Sequence, residues 1–203
     1  MYEEMEQRLG TVAAEAEWNA STDVGEQNTG ERIGAERALA AFLGSRYVIE
    51  NSRRFLGLKE SLTNLEFREL DKILLNAAES PATIPDVVRA KIETEARLSA
   101  TLDGFTFCLD GSPAKCSKPI TPNQIDDALV NSRDLRERLK VWETSKQTGP
   151  ALKKGLAEVR DLRNRVATEL GYTSYFHLQV ADYGMSVAEM MQLMDKMLVD
   201  SIG

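Results

Sequence analysis

The sequence is that of an all-α protein, an elongated array of helices, and three observations carry this. Apolar residues recur every three or four positions in almost every segment, the period of a buried helix face. Several segments open on paired capping residues: Thr63 with Glu66, Thr121-Pro122 with Gln124, and Ser186 with Glu189. Each pair sets a hydroxyl and an acid or amide against the orphan N–H groups of a first helical turn. Only residues 105–120 have any strand character.

Tyr2, Met5, Leu9, Val12 and Ala16 set the first helix, which ends near Trp18. The polar stretch through Asn28-Thr29-Gly30 reads as a link. Ile33, Leu39, Phe42 and Leu43 start a second helix that runs into Arg53-Arg54, and Leu65 to Ala78 form a third. Ser80-Pro81 breaks the chain. Thr83 then reads as an N-cap, with Pro85 in the first turn of a helix carrying Val88, Ile92 and Leu102 and ending at Gly104. Phe105 to Ile120 is a loop with room for a short hairpin.

Beyond it, Thr121 starts one helix and Ser132 caps another, which carries Leu135, Leu139 and Trp142. Gly149-Pro150 precedes a long helix with Leu152, Leu156, Val159, Val166 and Leu170 on one face. Asp161 and Arg165 make an i,i+4 pair on another face, and Gly171 is the C-terminal glycine that a helix end favours. The last helix turns Val187, Met190, Met191, Met194, Met197 and Leu198 inward. The total is eight or nine helices, with no repeat and no low-complexity linker.

The 203 residues are 42% hydrophobic, 28% charged and only 6% aromatic, with a net charge of -7. That is a soluble globular composition. The acidic balance argues against nucleic acid, which needs clustered Lys and Arg, and against anionic membrane surfaces. No apolar run approaches the roughly 20 residues of a membrane helix. The opening Met1-Tyr2-Glu3-Glu4 is acidic at once, so no signal peptide is expected. Cys108 and Cys116 suit either two cytosolic thiols or a small disulfide made in an oxidising compartment.

Few residues suggest chemistry. A catalytic zinc needs about three ligands and an open position, and the helical His-Glu-x-x-His signature is absent. The single His, His177, has no nucleophile partner for a Ser-His-Asp set and reads as a packed or surface residue. There is no Gly-rich phosphate loop. Asp126-Asp127 and Glu3-Glu4 are helix neighbours that do not share a face. The Met run at 185, 190, 191, 194 and 197 suits either an adaptable binding face or a core stripe, and is read as core.

Several of these segments, in this order, resemble the first third of the angiotensin-converting-enzyme family of zinc peptidyl dipeptidases. Glu15-Ala16-Glu17-Trp18-Asn19-Ala20-Ser21-Thr22 matches its Glu-Ala-x-Trp-x-x-x-Thr signature. The Cys108–Cys116 loop with the helices on either side matches its first disulfide region. Asn131-Ser132-Arg133 and Trp142-Glu143 match its Ser-Arg and Trp-Glu pairs, and Gly171 to Met185 is similar to bacterial-type members. Two departures stand out. Ser145 and Lys146 replace the Trp-His that often follows Trp-Glu. Leu178 and Gln179 stand near where animal members place a chloride-holding Arg, so the resemblance does not carry chloride dependence over.

The resemblance implies an all-α fold of two halves flanking a channel. Residues 1–80 would supply lid helices; residues 83–203, with the Cys loop, would supply channel wall. The implied reaction releases C-terminal dipeptides from short peptides, with zinc in the full-length enzyme. The zinc motif lies beyond residue 203, so no catalytic or metal residue is carried over and no zinc is expected on this chain. What carries over is the Cys108–Cys116 disulfide, the signature residues Trp18, Thr22, Ser132, Arg133, Trp142 and Glu143, and a periplasmic or secreted location. The broad apolar face of the last helix, so near the final Ser201-Ile202-Gly203, fits a segment of a larger peptidase. The alternative is a free-standing, catalytically inactive helical binding protein of the same fold.

Overall fold

The computed structural model describes residues 2–202; Met1 and Gly203, named above at the two ends, lie outside them. Ten α-helices occur among the described residues: α1 (Tyr2–Thr22), α2 (Glu26–Leu43), α3 (Arg46–Leu56), α4 (Asn64–Ala78), α5 (Pro85–Asp103), α6 (Pro122–Asn131), α7 (Leu135–Ser145), α8 (Gly149–Glu169), α9 (Tyr175–Ala181) and α10 (Val187–Ile202). Four two-residue strands make two antiparallel pairs, β1 (Phe107–Cys108) with β4 (Pro119–Ile120) and β2 (Gly111–Ser112) with β3 (Lys115–Cys116). The all-α expectation holds, and the hairpin falls in the one stretch that offered it.

The capping pairs form as the sequence implies. Thr63 accepts from the Glu66 N–H while the Glu66 carboxylate accepts from the Thr63 N–H at 2.8 Å. Thr121 with Gln124 and Ser186 with Glu189 repeat the pattern. These backbone donors hold the Glu66 and Glu189 carboxyls below their ordinary range.

Other details depart from the sequence reading. The Asn28–Gly30 stretch is not a link: α2 begins at Glu26, straight after Gly25. The single helix expected across residues 33–54 breaks at Gly44-Ser45, where Ser45 caps α3 by accepting from the Val48 N–H. Ile84, not Thr83, precedes α5. Asp134 caps α7, while Ser132 sits at the end of α6 and accepts from the Asp134 N–H. Asp161 pairs with its neighbour Arg160 at 2.8 Å rather than with Arg165.

Three apolar clusters hold the array. Ile33 and Ala40 of α2, Val87, Val88, Ile92 and Ala96 of α5, and Val166 of α8 form the first. Ala78 of α4, Ala167 of α8 and Leu178 of α9 form the second. Phe107 of β1, Ile125 of α6 and Val141 of α7 form the third. Two helices present faces the periodicity did not anticipate. In α7 the buried residues are Val141 and Thr144, while Leu135, Leu139 and Trp142 are exposed. In α10 no residue is fully buried: of the Met stripe read as core, Met185 and Met190 are half-buried, while Met191, Met194 and Met197 are exposed.

The join between α2 and α3 depends on a close backbone approach. Gly44 accepts from the Ala82 N–H at 2.8 Å, and a Cβ on Gly44 would lie 1.6 Å from the Ser80 carbonyl oxygen. Gly30, exposed in α2, has open space where its Cβ would be. Gly44→Ala should therefore destabilise the chain by about 2–3 kcal/mol, the scale of an overpacked contact. Gly30→Ala should stabilise it by roughly 0.5–1 kcal/mol through helix propensity. Urea unfolding followed by circular dichroism measures both, and equal effects would refute the backbone contact.

Candidate functional site

An open groove of about 700 Å³ lies between the first turns of α1, helix α4 and the segment after α9. That volume is in the range of small-ligand and short-peptide sites. Its charged lining is acidic: Glu3, Glu6, Glu69, Asp71 and Asp182 against Arg68 and Lys72. Two polar contacts cross it. Lys72 on α4 pairs with Asp182 beyond α9, and the Asn76 amide donates to Glu6 on α1 at 3.3 Å. Leu65, Ile73 and Leu75 add apolar wall.

Tyr2 closes one end. Its ring packs on Phe42 with centroids 5.3 Å apart, and its buried hydroxyl has no hydrogen-bond partner among the described residues. Burial, and then the nearby Glu6 carboxylate, push its pKa up to about 12. Tyr183 is exposed at the other side. Such a groove offers carboxylate acceptors, a phenol and aromatic faces. That suits binding extended peptide with N–H donors or cationic side chains.

Behind the groove lies a polar node that the sequence did not announce. Glu79, the last residue before the Ser80-Pro81 break, accepts from Tyr175 Oη at 2.9 Å, from Lys91 Nζ at 3.2 Å and from the Gln179 amide. Lys91, only 7% exposed, also donates to the Glu79 carbonyl at 2.9 Å. Arg163 of α8 sits 5.1 Å from the Tyr175 ring centroid and donates to Glu95 at 2.6 Å. The node joins α4, α5, α8 and α9. Burial and Glu79 both raise the Tyr175 pKa.

The residues singled out from the sequence fall in separate places. Trp18 is 70% exposed on α1, and Thr22 donates to its carbonyl at 2.8 Å. Glu17 beside it meets Arg32 of α2 at 3.1 Å, and Arg32 meets Glu36 at 2.6 Å. Ser132 donates to Glu137 of α7; Arg133 and Glu143 are exposed. Trp142 is half exposed, with the Lys146 ammonium 5.1 Å from its ring centroid. α1 packs on α2 and α5, and α7 on α6 and β1, so the two signature groups do not converge.

Cys108 and Cys116 form a disulfide, with Cα atoms 5.6 Å apart. The Gln147 side chain clasps Cys108, accepting from its N–H at 2.9 Å and donating to its carbonyl at 2.7 Å. Lys140 of α7 reaches Asp110 at 2.6 Å and holds that carboxyl below its ordinary range. His177 is engaged with Ser174, which caps α9: its Nδ1 lies 2.9 Å from the Ser174 hydroxyl.

No group of three or more His, Cys, Asp or Glu placed to hold a metal ion occurs among the described residues. Both thiols are consumed in the disulfide. The residues present therefore do not fit a zinc ion.

A family model described as angiotensin-converting enzyme matches residues 1–200. No curated protein matches the chain.

Breaking the node should be costly. Glu79→Ala leaves the Lys91 ammonium with one carbonyl acceptor. Glu79 is about one-third exposed, so the loss should be about 2 kcal/mol, below the value for a fully buried pair. Lys91→Met, which keeps the stem and removes the buried charge, should cost less than ~1 kcal/mol. Denaturant midpoints compare the two, and equal losses would reject a desolvated ion pair.

The raised Tyr175 pKa gives a pH signature. Its stabilising contribution is complete below the ordinary tyrosine range near pH 10 and is lost as pH rises toward the higher folded value. Tyr175→Phe should flatten the alkaline fall in melting temperature. An unchanged alkaline profile in the variant would show that Tyr175 is not responsible.

Proposed function

Because the chain belongs to the angiotensin-converting-enzyme family, we propose that it forms the lid and channel-wall helices of a zinc-dependent peptidyl dipeptidase. In this reading the zinc motif lies outside these 203 residues, and the enzyme removes C-terminal dipeptides from short peptides. The observation that carries the reading is the family match across nearly the whole chain.

This reading divides the chain in two, although the first two apolar clusters span both parts. Helices α1 to α4 supply lid, and α5 onward supplies wall. The acidic groove, where the first turns of α1 and helix α4 meet the end of α9, would then lie between lid and wall. Its residues bind and orient a peptide; none is placed to activate water. Arg32, buried between Glu17 and Glu36, fixes α1 against α2. In this account the Trp18–Thr22 signature keeps a helix–helix angle rather than touching substrate. Trp142 and Glu143 mark a surface that meets the rest of the peptidase.

The disulfide favours an oxidising compartment, in keeping with a periplasmic or secreted enzyme. No described helix is long and apolar enough to cross a membrane. Chloride dependence is not part of the proposal. The bare faces of α7 and α10 favour a segment of a larger peptidase over a free-standing binding protein.

The purified 203-residue chain should release no dipeptide from short blocked or unblocked peptides, with or without added zinc. Mass spectrometry of the digest reads this directly. Zinc-dependent dipeptide release would overturn the placement of the catalytic residues outside this chain. Sequencing the coding DNA past codon 203 is the complementary test: no in-frame His-Glu-x-x-His would count against the segment reading.

A further inference from the structure

A smaller cavity, of about 210 Å³, lies between the start of α1, the end of α2 and helices α3 and α4. Apart from Tyr2, its lining residues all fall between positions 42 and 73, so it is built from inside the chain. Helical spacing on α3 shapes it: Tyr47, Asn51 and Phe55 form one row along the helix, and Val48 and Ser52 form the next. Val48 and Ser52, each 5% exposed, are the floor, while Tyr47 and Phe55, at 67% and 42%, stand at the mouth. Leu70 and Ile73 of α4 supply the facing wall.

Four aromatic rings, Tyr2, Phe42, Tyr47 and Phe55, line this one space in a chain that is only 6% aromatic. No charged side chain among the described residues lines its interior; the Arg54 guanidinium lies over the Phe55 ring, 4.9 Å from the centroid. A charged ligand would lose water inside without gaining an opposite charge. A flat ring instead gains apolar burial together with edge and offset contacts to the wall rings. Two neighbouring residues add polarity. Ser52 is the one polar residue that α3 buries. The Asn51 amide donates to the Tyr47 carbonyl at 2.7 Å, which leaves its own oxygen as an acceptor. A cavity of about 150 Å³ accommodates benzene, so one of about 210 Å³ suits a two-ring system.

We propose that this cavity binds a small, neutral, bicyclic aromatic molecule carrying one N–H or O–H donor. The ring lies among the four aromatic walls, and its donor meets the Asn51 oxygen or the Ser52 hydroxyl. The site is separate from the acidic groove and does not depend on the peptidase reading. Tyr2 and Ile73 line both spaces and form the partition between them. A bound ring therefore steadies the end of the groove that Tyr2 closes.

Indole is the probe, and isothermal calorimetry on the 203-residue chain follows it. One equivalent should bind with a Kd of about 0.1 mM, the scale for a ligand of this size. Benzofuran has the same shape without the N–H and should bind about fivefold more weakly. Indole-3-acetate, with its carboxylate, should bind about tenfold more weakly or worse. Val48→Phe fills the floor and should weaken indole binding by about tenfold or more. Asn51→Leu with Ser52→Ala leaves an apolar cavity and should bring indole and benzofuran to within about twofold of each other. Circular dichroism checks that both variants keep their helices, and the paired substitution decides alone if Val48→Phe unfolds the chain. The site would be overturned by an absence of saturable indole binding, or by benzofuran or indole-3-acetate binding as tightly as indole. Undiminished binding by a folded Val48→Phe protein, or a preference for indole that survives the paired substitution, would overturn it equally.

Discussion

Glu79 ties the end of α4 to α5 and α9. It stands at the end of α4, where the chain must turn through Ser80 and the fully buried Pro81. Its carboxylate gathers donors from α5 and α9, and its own carbonyl takes a second bond from Lys91. A buried ammonium such as that of Lys91 is tolerable only with this degree of satisfaction. The same contacts hold Tyr175 and Gln179 of α9, whose end forms one wall of the acidic groove. The shape of the groove therefore follows from a polar contact that none of its lining residues makes.

Much of the fold was legible because it is written locally. A hydroxyl and an acid three residues apart define a helix start without reference to anything distant. Thr63–Glu66, Thr121–Gln124 and Ser186–Glu189 all behave accordingly. The disulfide followed from the family resemblance, since two close cysteines alone fit thiols equally well. What local reasoning missed was decided by packing. Gly25 begins α2 despite the polar sequence after it, and Ser45 caps α3 inside what reads as one amphipathic run.

The faces of α7 and α10 show the deeper limit. Periodicity locates an apolar stripe but does not say whether a neighbour covers it. In α7 Val141 lies nearly opposite Leu139, so two faces compete, and Phe107 and Ile125 take the Val141 side. The polar node was equally invisible. Glu79, Lys91, Glu95, Arg163 and Tyr175 are scattered over almost a hundred positions, and nothing in their spacing announces that they meet. The acidic groove shares that character, since its walls come from α1, α4 and the end of α9.

The clasp of Gln147 on Cys108 has a consequence for how the molecule opens. One amide supplies both the acceptor and the donor that a neighbouring strand would give. Together with Lys140 and Asp110 it ties the hairpin to α7, and the third apolar cluster shares no residue with the other two. The hairpin, α6 and α7 are therefore expected to open as one cooperative unit. Their amide protons should exchange with solvent together, at a free energy of their own, while α2, α5 and α8 stay protected.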